Sequence, residues 1–258
     1  MNEQEQVWLD GLLSSKKYRD VCPDTVTRLF EDALLRYRSP REAEQAARGA
    51  LHQITGAFMT VNEVKKARDC LAAYVAGDEA ALARCLALHA SARERPQARA
   101  LFARVFEKIG APEAVLDLAC GLNPLVLGAL GTKVWGCDIS GSACALVNDW
   151  AKACGWLLVC ERRDLLCAAQ LPPGDLALMM KLLPVLERQK AGAGAALLRD
   201  VRARYKLVTF PTRTLGGRQV GMASQYAQWL TAHLGRLKII DQFELGVELC
   251  YLLEDENG

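Results

Sequence analysis

The sequence predicts an α/β fold, a mostly parallel seven-stranded sheet preceded by an all-helical segment, and three observations carry that expectation. From the start to about Ile109 apolar residues recur at three- and four-residue spacings, whereas from Ala114 onward short apolar runs alternate with helical patterns. The run Ala114-Val115-Leu116-Asp117-Leu118 ends in the small-residue turn Ala119-Cys120-Gly121 and leads into a helix, which is how an open parallel sheet offers backbone donors to a ligand. Near the end, two strand patterns are separated only by Leu245-Gly246, which permits an antiparallel hairpin and is far too short for a parallel crossover.

In chain order, the helical patterns run Gln4 to Ser14, Pro23 to Tyr37, Pro40 to Phe58, Val61 to Ala76, Glu79 to His89 and Arg95 to Ile109, with stops at Pro23, Pro40 and Gly77. Ser39-Pro40 followed by Glu42, and Asp78-Glu79 before an Ala/Leu stretch, place capping residues and acids at helix starts. The strands expected are 114–119, 133–139, 157–162, 175–181, 206–211, 237–244 and 247–253. The texture changes near Gly110-Ala111-Pro112, dividing the chain into a helical part, 1–110, and an α/β part, 111–258.

Composition narrows the classes. A chain of 258 residues, 51% of them hydrophobic, has room for a large core, as one domain or as a domain with a smaller companion. Met1-Asn2-Glu3-Gln4-Glu5-Gln6 is polar and acidic where a secretory signal would be basic and then apolar, and no segment has the apolar length of a membrane span. A cytoplasmic protein without membrane contact is the expectation. The 10 cysteines include no C-x-x-C pair and fall at apparent core positions, so they read as reduced thiols used as small hydrophobes, with no metal site. With 32 basic against 30 acidic residues the molecule is not a polycation, and any nucleic-acid binding must come from charge placed on one surface.

The turn after the first strand limits the ligand. A dinucleotide site wants three glycines spaced G-x-G-x-x-G, but this turn supplies only Gly121 before Asn123-Pro124, read as N-cap and first helical residue. Asp117 inside the first strand, Gly121 in the turn and Asp138 after the second strand together fit S-adenosylmethionine, which has an amino-acid end and a ribose but no phosphate. The competing reading is a buried βαβ unit that binds nothing.

Further positions carry candidate chemistry. Lys16, Lys17 and Arg19, then Arg36, Arg38 and Arg41, then Lys65, Lys66 and Arg68, and Arg93, Arg95 and Arg99 form small basic clusters interleaved with acids. Each reads either as a solvated helix face or as part of a docking surface for folded RNA, whose contacts are mainly to backbone and shape. In His89-Ala90-Ser91-Ala92-Arg93-Glu94-Arg95 an arginine is placed either at an ordinary helix junction or where it could pair with the cofactor's carboxylate. Asp164-Leu165 follows the third strand, where an acid can accept from an adenine amino group. Met180-Lys181-Leu182-Leu183-Pro184 closes the fourth, on the side expected to face substrate. Phe210 to Arg218 is a glycine-rich basic loop after the fifth, either a polar surface connection or a phosphate contact through Arg213 and Arg218.

Lys16-Lys17-Tyr18, Leu51-His52-Gln53, His89-Ala90-Ser91 with Glu94-Arg95, Ala119-Cys120-Gly121-Leu122-Asn123-Pro124-Leu125, Trp135-Gly136-Cys137-Asp138-Ile139, Lys181-Leu182-Leu183-Pro184, Phe210-Pro211-Thr212-Arg213 with Leu215-Gly216-Gly217-Arg218, Gly221-Met222 and Glu248-Leu249 occur in that order. This ordered set resembles the aminoglycoside-resistance 16S ribosomal RNA methyltransferases, over about Ser14 to Leu253. The resemblance implies a Rossmann-like class I S-adenosylmethionine methyltransferase domain behind a helical domain that docks on the ribosome. It implies methylation of N7 of guanine 1405 in the assembled 30S subunit, and hence drug resistance, with no role for DNA. It also implies that Phe58, His89, Ala90, Ser91, Arg95, Ala119, Asp138, Asp164, Leu165 and Gln189, beside Gly121, contact the cofactor. Where the family commonly has an acid after Gly221-Met222, this chain has Ala223.

Guanine N7 carries a lone pair and no proton at neutral pH, so no catalytic acid–base pair is expected. Positioning alone can supply about 7–11 kcal/mol of the barrier. The deep major groove of duplex RNA hides N7, so the base has to be displaced. Arg213 and Arg188 are candidates for holding the surrounding backbone, Lys181 for facing substrate, and Met222 either for a wedge on the displaced base or for an ordinary buried methionine. Two other classes remain open at this point: a methyltransferase of a small molecule or protein with the helical part as a lid, and a non-catalytic ribosome-binding protein. A monomer is the expectation for the oligomeric state.

Overall fold

The computed structural model describes residues 1–56, 58–167, 170–212 and 222–256, with Met222 described by its backbone alone. Seven helices come first: α1 (Glu3–Ser14), α2 (Pro23–Leu34), α3 (Pro40–Thr55), α4 (Val61–Val75), α5 (Ala80–Leu88), α6 (Ala90–Arg93) and α7 (Ala98–Ile109). The sheet follows as β1 (Val115–Leu118), β2 (Val134–Asp138), β3 (Leu158–Arg162), β4 (Gly174–Met180), β5 (Ala203–Pro211), β6 (Leu237–Leu245) and β7 (Glu248–Asp255). Between the strands lie α8 (Asn123–Gly128), α9 (Gly141–Cys154), α10 (Leu183–Gln189), α11 (Ala193–Asp200) and α12 (Met222–His233).

The sheet order is β3-β2-β1-β4-β5-β7-β6, parallel from β3 to β5, with β7 antiparallel to both of its neighbours. Every residue of β1 is buried, as expected of a central strand covered on both faces. The reversal of strand order at β1 and β4 opens a crevice at the carboxyl edge, the place where doubly wound sheets bind ligands.

The helix starts follow local chemistry. Ser39 accepts from the Glu42 amide at the head of α3, and Thr60 with Glu63 forms a reciprocal capping box at the head of α4. A second such box, Asn2 with Glu5, opens α1. Two expectations are corrected. Asn123 is not an N-cap: it is the first residue of α8, and its buried side chain accepts from Arg95 and donates to Met180 Sδ. The junction 89–95, where the periodicity assigns no helix, holds the short α6, capped by His89 Nδ1 accepting from the Ala92 amide.

The change of texture at 110 is a change of secondary structure and not of core. Ala67, Leu82, Cys85, Leu101, Phe102 and Val105 from α4, α5 and α7 share one cluster with β1, β2, α8 and α9. Helices α1 to α3 enclose a separate core built on Leu12, Tyr18, Phe30 and Leu51. This three-helix unit is tied to the sheet's carboxyl edge. Cys22 N–H donates to Ile139 O at 2.7 Å, Gly141 N–H to Asp20 O at 2.8 Å, and the Ser142 hydroxyl to Asp20 Oδ2 at 2.8 Å. The ties place α2 over the turn that follows β2.

Candidate cofactor site

The crevice forms where β1 and β4 run out of regular strand. Ala119, just past β1, and Lys181, just past β4, both take φ +55°, left-handed backbone that non-glycine residues rarely adopt and that concentrates at functional sites. Gly121 also lies in that region, at φ +51°, and a Cβ on it would stand 2.7 Å from His89 Cε1. Only glycine allows the turn to pass this close to the histidine. The Gly121 amide donates to Asp138 Oδ2 at 2.9 Å and the Ser140 amide to Asp138 Oδ1 at 2.9 Å, so two backbone donors fix this half-buried carboxyl at the end of β2.

The cavity measures about 190 Å³ and collects nine of the predicted cofactor residues: Phe58, His89, Ser91, Ala119, Gly121, Asp138, Asp164, Leu165 and Gln189. Ala90 and Arg95 do not line it. Ala90 is half-buried as the first residue of α6. Arg95 is buried behind the site, donating to Asn123 Oδ1 at 3.0 Å and pairing with Glu248 at 2.7 Å, with no partner for its Nε among the described residues. Thr25, Arg28 and Ile54, from α2 and α3, also line the cavity and were missed by sequence reasoning. Thr25 sits on the apolar face of α2 and reads as core. Arg28 is one of many helix-surface arginines by sequence, with no motif to mark it.

Glu248 at the start of β7 is the hub of a buried network. It accepts from Thr209 Oγ1 at 2.6 Å, pairs with Arg95, and lies 3.3 Å from Lys181 Nζ, which also contacts Glu94. Burial alone would raise the Glu248 carboxyl, but Arg95 and then Lys181 outweigh it and hold the group below its ordinary range. Asp117 makes no such ion pair among the described residues. Neither of its oxygens has a hydrogen-bond partner among the described residues, and burial pushes its carboxyl well above the usual value despite Arg95. Burial likewise raises Asp138 and lowers His89, which favours a neutral imidazole beside the turn.

The basic positions divide. Lys16, Lys17, Arg19, Lys65, Lys66 and Arg188 are exposed, as is Arg68, which lies 3.9 Å from Asp149. Lys181 is half-buried in the Glu248 network. Arg213 and Arg218 lie outside the described residues, as does the side chain of Met222.

Residues 14–252 match the model of the ribosomal RNA methyltransferase (FmrO) family. A 16S rRNA (guanine(1405)-N(7))-methyltransferase of Serratia marcescens is 42% identical over 253 residues, covering 97% of this chain and 98% of that protein. Among solved structures, the 16S rRNA methyltransferase RmtF in complex with S-adenosyl-L-homocysteine superposes with a TM-score of 0.91 at 52% identity, covering 99% of both chains. The 16S rRNA methylase RmtB superposes at 0.88 with 37% identity, over 99% of this chain and all of that one (100%).

Proposed function

The chain belongs to the ribosomal RNA methyltransferase (FmrO) family, and we propose from that membership and from the carboxyl-edge cavity that it transfers a methyl group from S-adenosylmethionine to N7 of guanine 1405 in 16S rRNA. The observation that carries the reading is the cavity itself. It holds one glycine turn, an acid after β2 and an acid after β3, with no cradle for a pyrophosphate.

The residues present fit that cofactor. A left-handed glycine lets the turn pass against His89, and the lone pairs that Asp138 does not commit to Gly121 and Ser140 can accept from ribose hydroxyls. In this reading Asp164 accepts from the adenine amino group, while Phe58 and Leu165 supply apolar contact. Arg95 backs the turn through Asn123, and it would meet the methionine carboxylate only by sharing its guanidinium with Glu248. S-adenosylmethionine bound there supplies an electrophilic methyl on sulfur. The protein's part is to hold the incoming N7 in line and to exclude water. The lone pair of N7 needs no base, and none of the carboxyls described above is required to move a proton.

Docking falls to the helical part, residues 1–110, in this reading, and the 30S subunit is the substrate of a cytoplasmic monomer that confers aminoglycoside resistance. What supports it is the exposure of Lys16, Lys17 and Arg19 in the turn between α1 and α2 and of Lys65, Lys66 and Arg68 on α4. In the same reading Arg188, exposed and next in sequence to the cavity-lining Gln189, meets RNA backbone. No helix among the described residues is long and apolar enough to cross a membrane. Purified protein, labelled methyl donor and either 30S subunits or naked 16S RNA make the test. Label mapped to guanine 1405, and much faster on the subunit, is the expected result. Equal rates on naked RNA refute docking on the assembled surface, and no transfer to either refutes the activity.

A further inference from the structure

We infer that Arg28 of α2 is a specificity-determining positioning residue for the cofactor's base, fixing which polar groups of Asp164 and Gln189 face the cavity. The inference rests on reading the cavity as an S-adenosylmethionine site. Arg28 Nε and Nη2 donate to Asp164 Oδ2 at 3.1 and 2.9 Å, and Nη2 also donates to Gln189 Oε1 at 2.8 Å. All three side chains line the same cavity, and the Arg28 side chain is only 15% exposed. Asp32, one turn along α2, approaches the same guanidinium at 3.8 Å, so Arg28 is held from its own helix as well.

The chemistry follows from what a guanidinium cannot do. It has donors only, so the Gln189 amide must turn its oxygen toward Arg28, and its Nε2, which gives one N–H to Val185 O at 3.4 Å, keeps a second N–H to offer. The same group clamps one oxygen of the Asp164 carboxylate, an acceptor, while the Leu166 amide holds the other oxygen at 2.8 Å. The cavity therefore presents one acceptor, from Asp164, and one donor, from Gln189 Nε2. The Watson–Crick edge of adenine is the complement, with a donor at the 6-amino group and an acceptor at N1. Hypoxanthine reverses both. Without Arg28 the Gln189 amide is free to flip, its oxygen can accept from the N1–H of hypoxanthine, and Asp164 alone is left to discriminate at the 6-position. The three-helix unit thus takes part in choosing the cofactor, through a residue that no cofactor-site motif marks.

Titration calorimetry of the full chain with S-adenosylhomocysteine and S-inosylhomocysteine reads this out. A site built on paired donors and acceptors should favour the adenosyl ligand by about a hundredfold or more in the parent. Loss of a charge-assisted clamp in Arg28→Met should weaken the adenosyl ligand about tenfold and lower the preference below about tenfold, with Arg28→Lys, which cannot fork, in between. Gln189→Glu puts oxygen on both sides of that group with Arg28 untouched, so it should lower the preference even if Arg28→Met does not fold. An unchanged preference in either variant overturns the inference. So does tighter adenosyl binding by Arg28→Met, which would make the guanidinium an occupant that the base must displace. A folded parent that binds neither ligand overturns the cofactor reading itself.

Discussion

Gly121→Ala tests the turn after β1 where its geometry is most demanding. The backbone there has φ +51°, and an added Cβ would stand 2.7 Å from Cε1 and 3.1 Å from Nε2 of His89. Left-handed backbone costs a residue bearing a Cβ about 1–2 kcal/mol. Crowding a closed site costs about 1–3 kcal/mol more. His89 cannot retreat cheaply, because it is buried and its Nδ1 accepts from the Ala92 amide at the head of α6. A total of about 2–5 kcal/mol is expected, read as a lower urea midpoint, or as a melting temperature lower by about 4–20 °C for a chain of this size. Two comparisons separate the parts. Gly155→Ala, at φ +69° with nothing near the added carbon, should show the backbone cost alone. Gly121→Ala combined with His89→Ala should recover the crowding cost seen relative to His89→Ala. Stability within about 0.5 kcal/mol of the parent for Gly121→Ala would refute the close-approach argument, as would a double variant with no recovery.

Asp117 titrates with the opposite sign to a paired carboxyl. Burial raises it above 3.8 in the folded chain, so the stability it contributes is complete below that pH and is lost as pH rises through the folded value; Asp117→Asn should gain on the parent with rising pH, and parallel stability–pH curves would refute this. Arg95→Ala leaves Glu248 buried with only Lys181 opposite and should cost about 3–5 kcal/mol, while Arg95→Ala with Glu248→Gln should recover much of it; equal urea midpoints for the single and double variants would refute the pairing. Asp138→Ala removes the proposed ribose acceptor and unpairs the Gly121 and Ser140 amides, so S-adenosylhomocysteine should bind at least about tenfold more weakly by calorimetry, and unchanged affinity in a folded variant would take Asp138 out of the site. Reversing Lys16, Lys17 and Arg19 to Glu should weaken 30S binding and flatten its salt dependence while leaving cofactor affinity intact, and a parent whose 30S affinity barely responds to salt would refute phosphate docking.

The elements were legible where local chemistry decides them. Pro23 and Ser39-Pro40 stand at helix heads, and the alternation after Ala114 places all seven strands, because hydrophobic period and turn length are local properties. Asp138, Gly121 and Asp164 were legible for the same reason, since each follows a strand at the edge where such sheets bind ligands. What could not be read is contact between segments distant in sequence. Asn123 looks like a cap until Arg95 and Met180 claim its side chain from 28 and 57 residues away. Arg95 faces Glu248 across 153 residues, so its position beside the turn predicted a ligand contact that the geometry gives first to a buried acid.

Arg28 is the extreme case. By sequence it is an ordinary charge on an amphipathic helix, and its three partners share no pattern: Asp32 is four residues away, Asp164 is 136 and Gln189 is 161. What brings them together is the strap from Asp20 to Cys22, whose backbone bonds to Ile139 and Gly141 seat α2 over the end of β2. A cofactor loop fixed by its own sequence can be recognised from that sequence. A side chain delivered by a neighbouring unit can be recognised only once the docking of that unit is known. The base-recognising side of this cavity therefore depends on the packing of α1 to α3 against the sheet. Loosening that strap, by Asp20→Ala for example, should weaken cofactor binding and lower the preference for the adenosyl ligand without altering any residue that lines the cavity. A variant that keeps both parent values would show that α2 holds its place without the Asp20 side chain.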